Sequence, residues 1–213
     1  MPGCDFGMHV IPYVFRETDK VYSFEFNGYW KDVGTLTTYW ETNMELTDLV
    51  PEFNLYEEFW QIYTSAESHA PAYLGSEAQV SHAIIGDGSE ILGKVKHSVL
   101  GSNVKVAAGA KVVDSILMNG VTVEEGAVVR KAIIAANTVV GKNAKLGEGT
   151  YEPSRLDPKV YNSDLVVVGA SSVIPEGVSI GKNTAVSGVT TAEDYPNGAL
   201  ASGGYILKKE GKR

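Results

Sequence analysis

Aliphatic residues recur at steps of six, six and five through the second half of the chain. They stand at Leu100, Val106, Val112, Leu117, Val123, Val129, Ile134, Val140 and Leu146, a combined period of 17 residues. A step of six fits neither an α-helix nor an alternating strand. It indicates a triangular coil in which each side turns one aliphatic residue inward, and stacked coils then form columns of like residues. The sequence therefore predicts a parallel β-helix of about five coils.

Glycine and asparagine occupy the fourth position of each full six-residue segment. These residues tolerate a positive φ with the least strain, so we expect left-handed backbone at Gly88, Asn103, Gly109, Gly120, Gly126, Asn137, Asn143, Gly177 and Asn183. The five-residue segments carry Ala83, Ser98, Ser115 or Ala132 in the equivalent slot. We expect their corners to turn differently.

The repeat is bounded and interrupted by segments of other composition. All three tryptophans and all six phenylalanines precede residue 72, and a shift this sharp indicates a domain boundary. We therefore expect a linker at 49–72 and a β-helix domain at 73–213. Residues 147–165 contain two prolines and no period, so they predict a loop extruded from the β-helix, and long loops often carry function.

The first 48 residues predict a strand, a turn, a second strand and a helix. Residues 21–26 alternate, Asn27-Gly28 is a turn signal, and 29–33 follow as the second strand. Apolar residues at helical spacing then indicate a helix starting near Thr35. Asp32 ends the second strand, a position at which ligand chemistry gathers in α/β folds. A carboxylate there suits Mg²⁺, although on spacing alone a lone Asp before Gly-Thr is more often a turn or cap residue.

Charge and cysteine content narrow the classes of partner. The formal net charge is −8, which argues against nucleic acid and against anionic membrane surfaces. Cys4 is the one cysteine, so no internal disulfide forms, and a reducing, cytoplasmic compartment is expected. The N-terminal residues lack a signal-peptide pattern, and no apolar run has the length of a membrane span.

Several motifs resemble those of bacterial glucose-1-phosphate adenylyltransferases (ADP-glucose pyrophosphorylases). They are 5–7 (Asp-Phe-Gly), 10–12 (Val-Ile-Pro), 28–35 (Gly-Tyr-Trp-Lys-Asp-Val-Gly-Thr), 39–46 (Tyr-Trp-Glu-Thr-Asn-Met-Glu-Leu) and 202–204 (Ser-Gly-Gly). The resemblance extends over nearly the whole chain. It implies that residues 1–48 are the C-terminal remnant of an α/β nucleotidyltransferase domain and that the β-helix is left-handed, of the hexapeptide-repeat type.

The resemblance also implies an activity and a set of site residues. The family joins ATP and glucose 1-phosphate into ADP-glucose and pyrophosphate, with Mg²⁺, for glycogen synthesis. Asp32 matches the second metal-binding aspartate of the family, and Asp5, Phe6 and Trp30 match positions that line the sugar pocket. The family's Gly-rich phosphate loop and first metal-binding aspartate have no counterpart ahead of Asp32. We therefore expect the chain alone to be inactive, and to act as a homo-oligomer, tetrameric in the family, or with a separate catalytic chain.

Two other functional classes remain open from the sequence. Many acyltransferases share the hexapeptide β-helix and resemble one another in using a histidine on the coil surface as a base, and His82 and His97 occupy matching slots. Alternatively, the chain is a non-catalytic regulatory or oligomerisation subunit. Basic side chains for a phosphorylated effector would then come from Lys94, Lys96, Lys105, Lys111, Arg130, Lys131, Lys142 and Lys145.

Overall fold

The computed structural model describes residues 5–63 and 68–208, so Cys4 lies outside the described residues. The chain divides into two compact units, Met1–Trp30 and Lys31–Arg213. None of the helices in the described parts is long and apolar enough to cross a bilayer. The boundaries expected from composition, at residues 48 and 72, stay predictions.

A short helical segment begins the first unit. A π-helical turn at Phe6–Val10 leads directly into α1, Ile11–Glu17. The Asp5 carboxylate caps the turn by accepting a hydrogen bond from the Met8 amide at 2.6 Å. Pro12 lies in the first turn of α1. The sequence pattern did not predict this segment, because its apolar side chains remain largely exposed rather than forming one buried face.

The predicted strand-turn-strand at residues 19–33 is wrong. All of these residues are described, and none lies in a strand. Tyr22 and Phe24 expose 87% and 89% of their surface, so their alternation with polar residues does not bury a face. A two-stranded hairpin is marginal in water without a third strand or a covering helix.

Helix α2, Leu36–Glu45, opens the second unit and confirms the predicted start at Thr35. Thr35 is the N-cap, and its hydroxyl accepts a hydrogen bond from the Thr38 amide at 3.1 Å. The Thr38 hydroxyl in turn accepts from the Thr35 amide at 3.2 Å, which completes a reciprocal capping box. Met44 is the buried residue of the helix.

Within residues 68–208 eighteen short strands follow, almost all of two to four residues, and all the pairings among them are parallel. In chain order they are β1 Tyr73–Leu74, β2 Gln79–Ile85, β3 Glu90–Ile91, β4 Lys94–Leu100, β5 Lys105–Val106, β6 Lys111–Val113, β7 Ile116–Leu117, β8 Thr122–Val123, β9 Val128–Arg130, β10 Ala132–Ile134, β11 Val139–Val140, β12 Lys145–Leu146, β13 Val166–Val168, β14 Val173–Ile174, β15 Ser179–Ile180, β16 Thr184–Ser187, β17 Ala199–Leu200 and β18 Tyr205–Leu207.

The pairing confirms the predicted mainly-β fold and its parallel β-helix. Leu100 pairs with Leu117 and Leu117 with Ile134, and the other two columns repeat this register. One face of the β-helix is a six-stranded sheet, so there are more coils than the five predicted. The hand of the coil stays a prediction.

The corners follow the predicted division into two kinds. All nine Gly and Asn corner residues have positive φ, between 54° and 75°. In the five-residue segments, the residue before the small slot takes the positive φ instead: His82, His97, Asp114 and Lys131, at 46° to 51°. The small residue then turns inward. The buried Ser98 hydroxyl donates to the Lys96 carbonyl at 2.8 Å and accepts from the Ser115 amide at 3.1 Å.

Residues 147–165, which we call the extruded loop, connect β12 to β13 without a helix or strand. The loop lies against the last coils of the β-helix. Arg155 donates its amide to the Gly203 carbonyl at 2.8 Å, and the Asn183 side chain donates to the Glu152 carbonyl at 2.8 Å. The β-helix therefore holds this loop in a defined place.

Candidate functional site

Asp32 lies in a tight turn immediately before helix α2. Its Oδ1 accepts a hydrogen bond from the Gly34 amide at 2.9 Å, and its side chain is exposed. A Cβ atom at Gly34 would lie 3.0 Å from the same oxygen, so a larger residue would crowd the carboxylate. The turn therefore fixes the direction of the Asp32 carboxylate relative to the helix.

A magnesium site can use this carboxylate as one ligand. Mg²⁺ is often held by one or two protein carboxylates, with waters and substrate phosphates as the other ligands. Among residues 5–63 and 68–208, no three His, Cys, Asp or Glu side chains come together to hold a metal ion. Asp32 thus fits a single ligand position.

The three predicted sugar-pocket residues all belong to the first unit. The Asp5 carboxylate is engaged in capping the π-helical turn. Phe6 and Trp30 expose 73% and 77% of their surface, so neither ring is enclosed by a pocket. Their part in sugar binding stays a prediction.

Helix α2 packs on the outside of the β-helix through a second apolar cluster. Met44 is buried there with Ile116, Ile133 and Leu165, and Trp40 packs against them. The coil residues that form this outer face stand directly before the inward columns, as in Ile116-Leu117 and Ile133-Ile134. The period of the inward residues alone does not predict this face. The signal that reveals it is the doubled aliphatic residue, which recurs every 17 positions on one side of the coil.

Polar contacts attach α2 to the same side of the β-helix. The Trp40 indole N–H donates to the Asp114 carbonyl at 2.7 Å, and the Lys131 ammonium lies 5.2 Å from the ring centroid. Nearer the start of the helix, Thr37 Oγ1 lies 2.8 Å from Asn162 Oδ1 and 3.0 Å from Ser163 Oγ. The extruded loop and the coil corners therefore both contact the helix that follows Asp32.

A cavity of about 340 Å³ lies beside this attachment. Its lining comes from two segments, the start of α2 and the extruded loop, and consists of Val33, Gly34, Thr35, Leu36, Tyr39, Lys159 and Val160. The turn that carries Asp32 is thus adjacent to a concave surface that the loop helps to form.

The two histidines considered for acyl transfer stand one above the other on a corner. The register of β2 on β4 pairs the residues on either side of His82 with those on either side of His97. His97 Nδ1 lies 2.6 Å from Asp114 Oδ1 of the next coil. One ring nitrogen of His97 is therefore engaged in holding the corner together.

The basic residues considered for an effector site are distributed over several faces. Lys94, Lys96 and Lys111 line one cavity of about 520 Å³. Lys142 lies on another part of the coil and pairs with Glu125 at 3.1 Å. The hydrogen bond and charge of that carboxylate raise the pKa of Lys142 above its usual value. The structure therefore does not gather the eight residues into one site.

Two families match consecutive parts of the chain. The family described as "Nucleotidyl transferase" matches residues 2–49, and the family described as "GlmU-like, C-terminal hexapeptide" matches residues 70–168. The first match contains Asp5, Phe6, Trp30 and Asp32 as well as α2, and the second covers most of the β-helix. The packing of α2 on the coils therefore joins the two matched segments.

Curated relatives extend the match to nearly the whole chain. The glucose-1-phosphate adenylyltransferase of Lachnospira eligens is 51% identical over 205 residues, which is 96% of this chain and 48% of that protein. Those of Acetivibrio thermocellus and Thermotoga maritima are 41% and 42% identical, over 96% and 97% of this chain. Over nearly its whole length the chain is therefore similar to glucose-1-phosphate adenylyltransferases. It spans about half the length of these relatives, and the acyltransferase and subunit alternatives are not favoured.

Proposed function

We propose that this chain is the C-terminal part of a glucose-1-phosphate adenylyltransferase, which forms ADP-glucose and pyrophosphate from ATP and glucose 1-phosphate. The observation that supports this most is the 51% identity to the Lachnospira eligens relative over 96% of the chain. In this proposal the enzyme acts in glycogen synthesis and resides in the cytoplasm. A chain with a single cysteine suits that reducing compartment, because it forms no internal disulfide.

Asp32 is the residue that we propose as a ligand of Mg²⁺. When bound, the ion would supply charge neutralisation at the phosphate groups. The contribution of this chain is to hold the carboxylate in one direction, through the hydrogen bond from the Gly34 amide. Catalysis in such reactions depends mainly on positioning and on charge, so the fixed turn at 32–34 is the part of this chain closest to the chemistry.

We further propose that Asp5, Phe6 and Trp30 line the glucose 1-phosphate pocket of the assembled enzyme. The rings of Phe6 and Trp30 are exposed, and aromatic faces pack well against the apolar face of a sugar. This arrangement needs the remaining half of the nucleotidyltransferase domain to enclose it. The proposed active form is therefore a homo-oligomer of the complete enzyme, or this chain with a second chain that supplies the other half.

Pyrophosphate release tests the proposal in two preparations. The purified 213-residue chain, given ATP, glucose 1-phosphate and Mg²⁺, is expected to release no pyrophosphate above background. A chimera in which this chain replaces the aligned half of the Lachnospira eligens enzyme is expected to release pyrophosphate only when glucose 1-phosphate is present, with the intact relative as the positive control. A folded chimera without activity would contradict the proposal.

A further inference from the structure

We infer that the extruded loop positions Asp32, acting through the first turn of α2. Asn162 and Ser163 are the positioning residues, and both contact the Thr37 hydroxyl in α2. The inference rests on the proposed function for the role of Asp32 as a metal ligand. The attachment itself is a property of the second unit and stands on the contacts within it.

The residues on both sides of Asp32 are tied to α2. On the C-terminal side, Gly34 donates its amide to Asp32, and Thr35 follows as the N-cap of the helix. On the N-terminal side, the Lys31 ammonium forms an ion pair with Glu45, at the last turn of the same helix. The position of the Asp32 carboxylate therefore follows the position of α2.

The extruded loop holds the first turn of α2 by a cluster of three polar side chains. Thr37 Oγ1 contacts both Asn162 Oδ1 and Ser163 Oγ, and Ser163 Oγ donates to Asn162 Oδ1 at 3.0 Å. All three side chains are at least partly buried, which strengthens each hydrogen bond relative to one in open water. Thr37 stands in the first turn of α2, three residues after Gly34, whose amide donates to Asp32.

The loop is itself fixed on the β-helix at this point. Asp164 forms an ion pair with Lys182 at 3.3 Å, and the Asp164 backbone amide donates to the Asn183 side-chain oxygen at 2.8 Å. Ser163 and Asp164 both have positive φ, 60° and 66°, a conformation that ordinary residues hold only when their surroundings enforce it. The loop therefore presents Asn162 and Ser163 to Thr37 from a rigid base.

A second attachment prevents the helix from rotating about this first one. Trp40 and Met44 hold the later turns of α2 against the coil corner and the outer apolar face. The first turn is held by the polar cluster and by Leu36, which packs against the outer apolar face. Loss of the polar cluster leaves the helix docked by its apolar residues and loosens its first turn, and with it the turn that carries Asp32.

Threonine variants of the 213-residue chain test the attachment directly. Thr37→Val removes the hydroxyl with little change in shape, Thr37→Ser restores it, and Thr42→Val is the matched control because its hydroxyl bonds within the helix, to the Thr38 carbonyl at 2.7 Å. Amide hydrogen exchange followed by NMR is expected to be about fivefold faster at Gly34 and Thr38 in Thr37→Val. Thr37→Ser is expected to restore the slow rate, and Thr42→Val to leave Gly34 unchanged.

The same variants in the chimera described above test the consequence for Asp32. Thr37→Val is expected to raise the Mg²⁺ concentration for half-maximal rate about fivefold, with KM for glucose 1-phosphate unchanged and with rescue by Thr37→Ser. Unchanged exchange at Gly34, or an unchanged Mg²⁺ dependence, would overturn the inference. An inactive chimera without any substitution would count against the proposed function, whereas the exchange comparison, which needs no substrate, still decides whether the loop holds the turn.

Discussion

The indole N–H of Trp40 donates a hydrogen bond to the backbone carbonyl of Asp114 at 2.7 Å. This contact joins a helix in the part matched to nucleotidyl transferases with a corner of the β-helix. The Lys131 ammonium faces the ring from the next coil, and His97 contacts the Asp114 carboxylate from the preceding coil. Residues at three successive corners of one column therefore contact Trp40 or the residue that accepts its hydrogen bond.

Replacement of Trp40 by phenylalanine tests this hydrogen bond. The variant keeps a ring in the apolar cluster but leaves the Asp114 carbonyl without its donor. We expect the free energy of unfolding to fall by about 1 kcal/mol, measured by urea denaturation. Trp60→Phe is the control, because Trp60 exposes 83% of its surface, and its effect is expected to stay within about 0.5 kcal/mol. Equal effects of the two variants would contradict the described contact.

Two glycines with nearly the same φ allow the cost of backbone strain to be measured separately from the cost of a steric clash. Gly177 has φ 72° and open space where a Cβ would stand. Gly203 has φ 73°, but its Cβ would lie 2.2 Å from the Pro153 carbonyl of the extruded loop. Gly177→Ala is expected to cost about 1 kcal/mol for the left-handed backbone, and Gly203→Ala about 2 kcal/mol more from the clash. Thermal unfolding compares them, and equal costs would mean that the loop does not approach this coil.

The inward columns predict a large cost for removing one aliphatic side chain. Leu117 is fully buried between Leu100 and Ile134. Leu117→Ala is expected to lower the free energy of unfolding by about 3 kcal/mol, from lost burial and the cavity that remains. Leu49→Ala, at a side chain that is 93% exposed, is expected to change it by less than about 0.5 kcal/mol. A small effect at Leu117 would contradict the column.

The β-helix was predictable because its constraints are local and repeated. Each inward aliphatic residue and each Gly or Asn corner satisfies its own requirement, so the period of 17 reveals the register without knowledge of any distant contact. The hairpin at 19–33 failed because a strand also needs a partner, and alternation does not supply one. The surface on which α2 packs was not predicted, because it consists of outward residues such as Ile116 and Ile133. Their period is hidden by the inward aliphatic residues beside them.

The candidate site was predictable only in part, for a similar reason. Asp32 stands before a helix N-terminus, as the sequence indicates, and the turn with Gly34 follows from short-range spacing. The contact of Thr37 with Asn162 joins residues 125 positions apart. Neither residue belongs to a repeat or a motif, so no pattern in the sequence links them.

The burial of Tyr195 predicts that the stability of the folded protein decreases at alkaline pH. Its hydroxyl donates to Thr190 Oγ1 at 2.9 Å, and Thr190 donates onward to the Val173 carbonyl. Burial raises the pKa of Tyr195, so the unfolded chain loses this proton at a lower pH than the folded chain. The stabilisation is present below about pH 10 and is lost as the pH rises further.

Tyr195→Phe tests this dependence through urea unfolding measured between pH 8 and pH 11. The variant is expected to be less stable than the parent at pH 8, because the hydrogen bond is gone, and to lose less stability above pH 10. Tyr205→Phe, at a half-exposed ring, is the control and is expected to follow the parent. An alkaline limb of the same slope in Tyr195→Phe and in the parent would contradict the prediction.

The most direct test of the central claim, that Asp32 is a metal ligand of a glucose-1-phosphate adenylyltransferase, is pyrophosphate release by the chimera carrying Asp32→Asn. Asparagine keeps the shape of the side chain and an oxygen to accept from Gly34, but it lacks the charge that favours Mg²⁺. The rate is expected to fall about 1,000-fold, with folding unchanged by circular dichroism, since metal-assisted charge stabilisation contributes several kcal/mol. A folded Asp32→Asn chimera with the activity and Mg²⁺ dependence of its parent would contradict the claim.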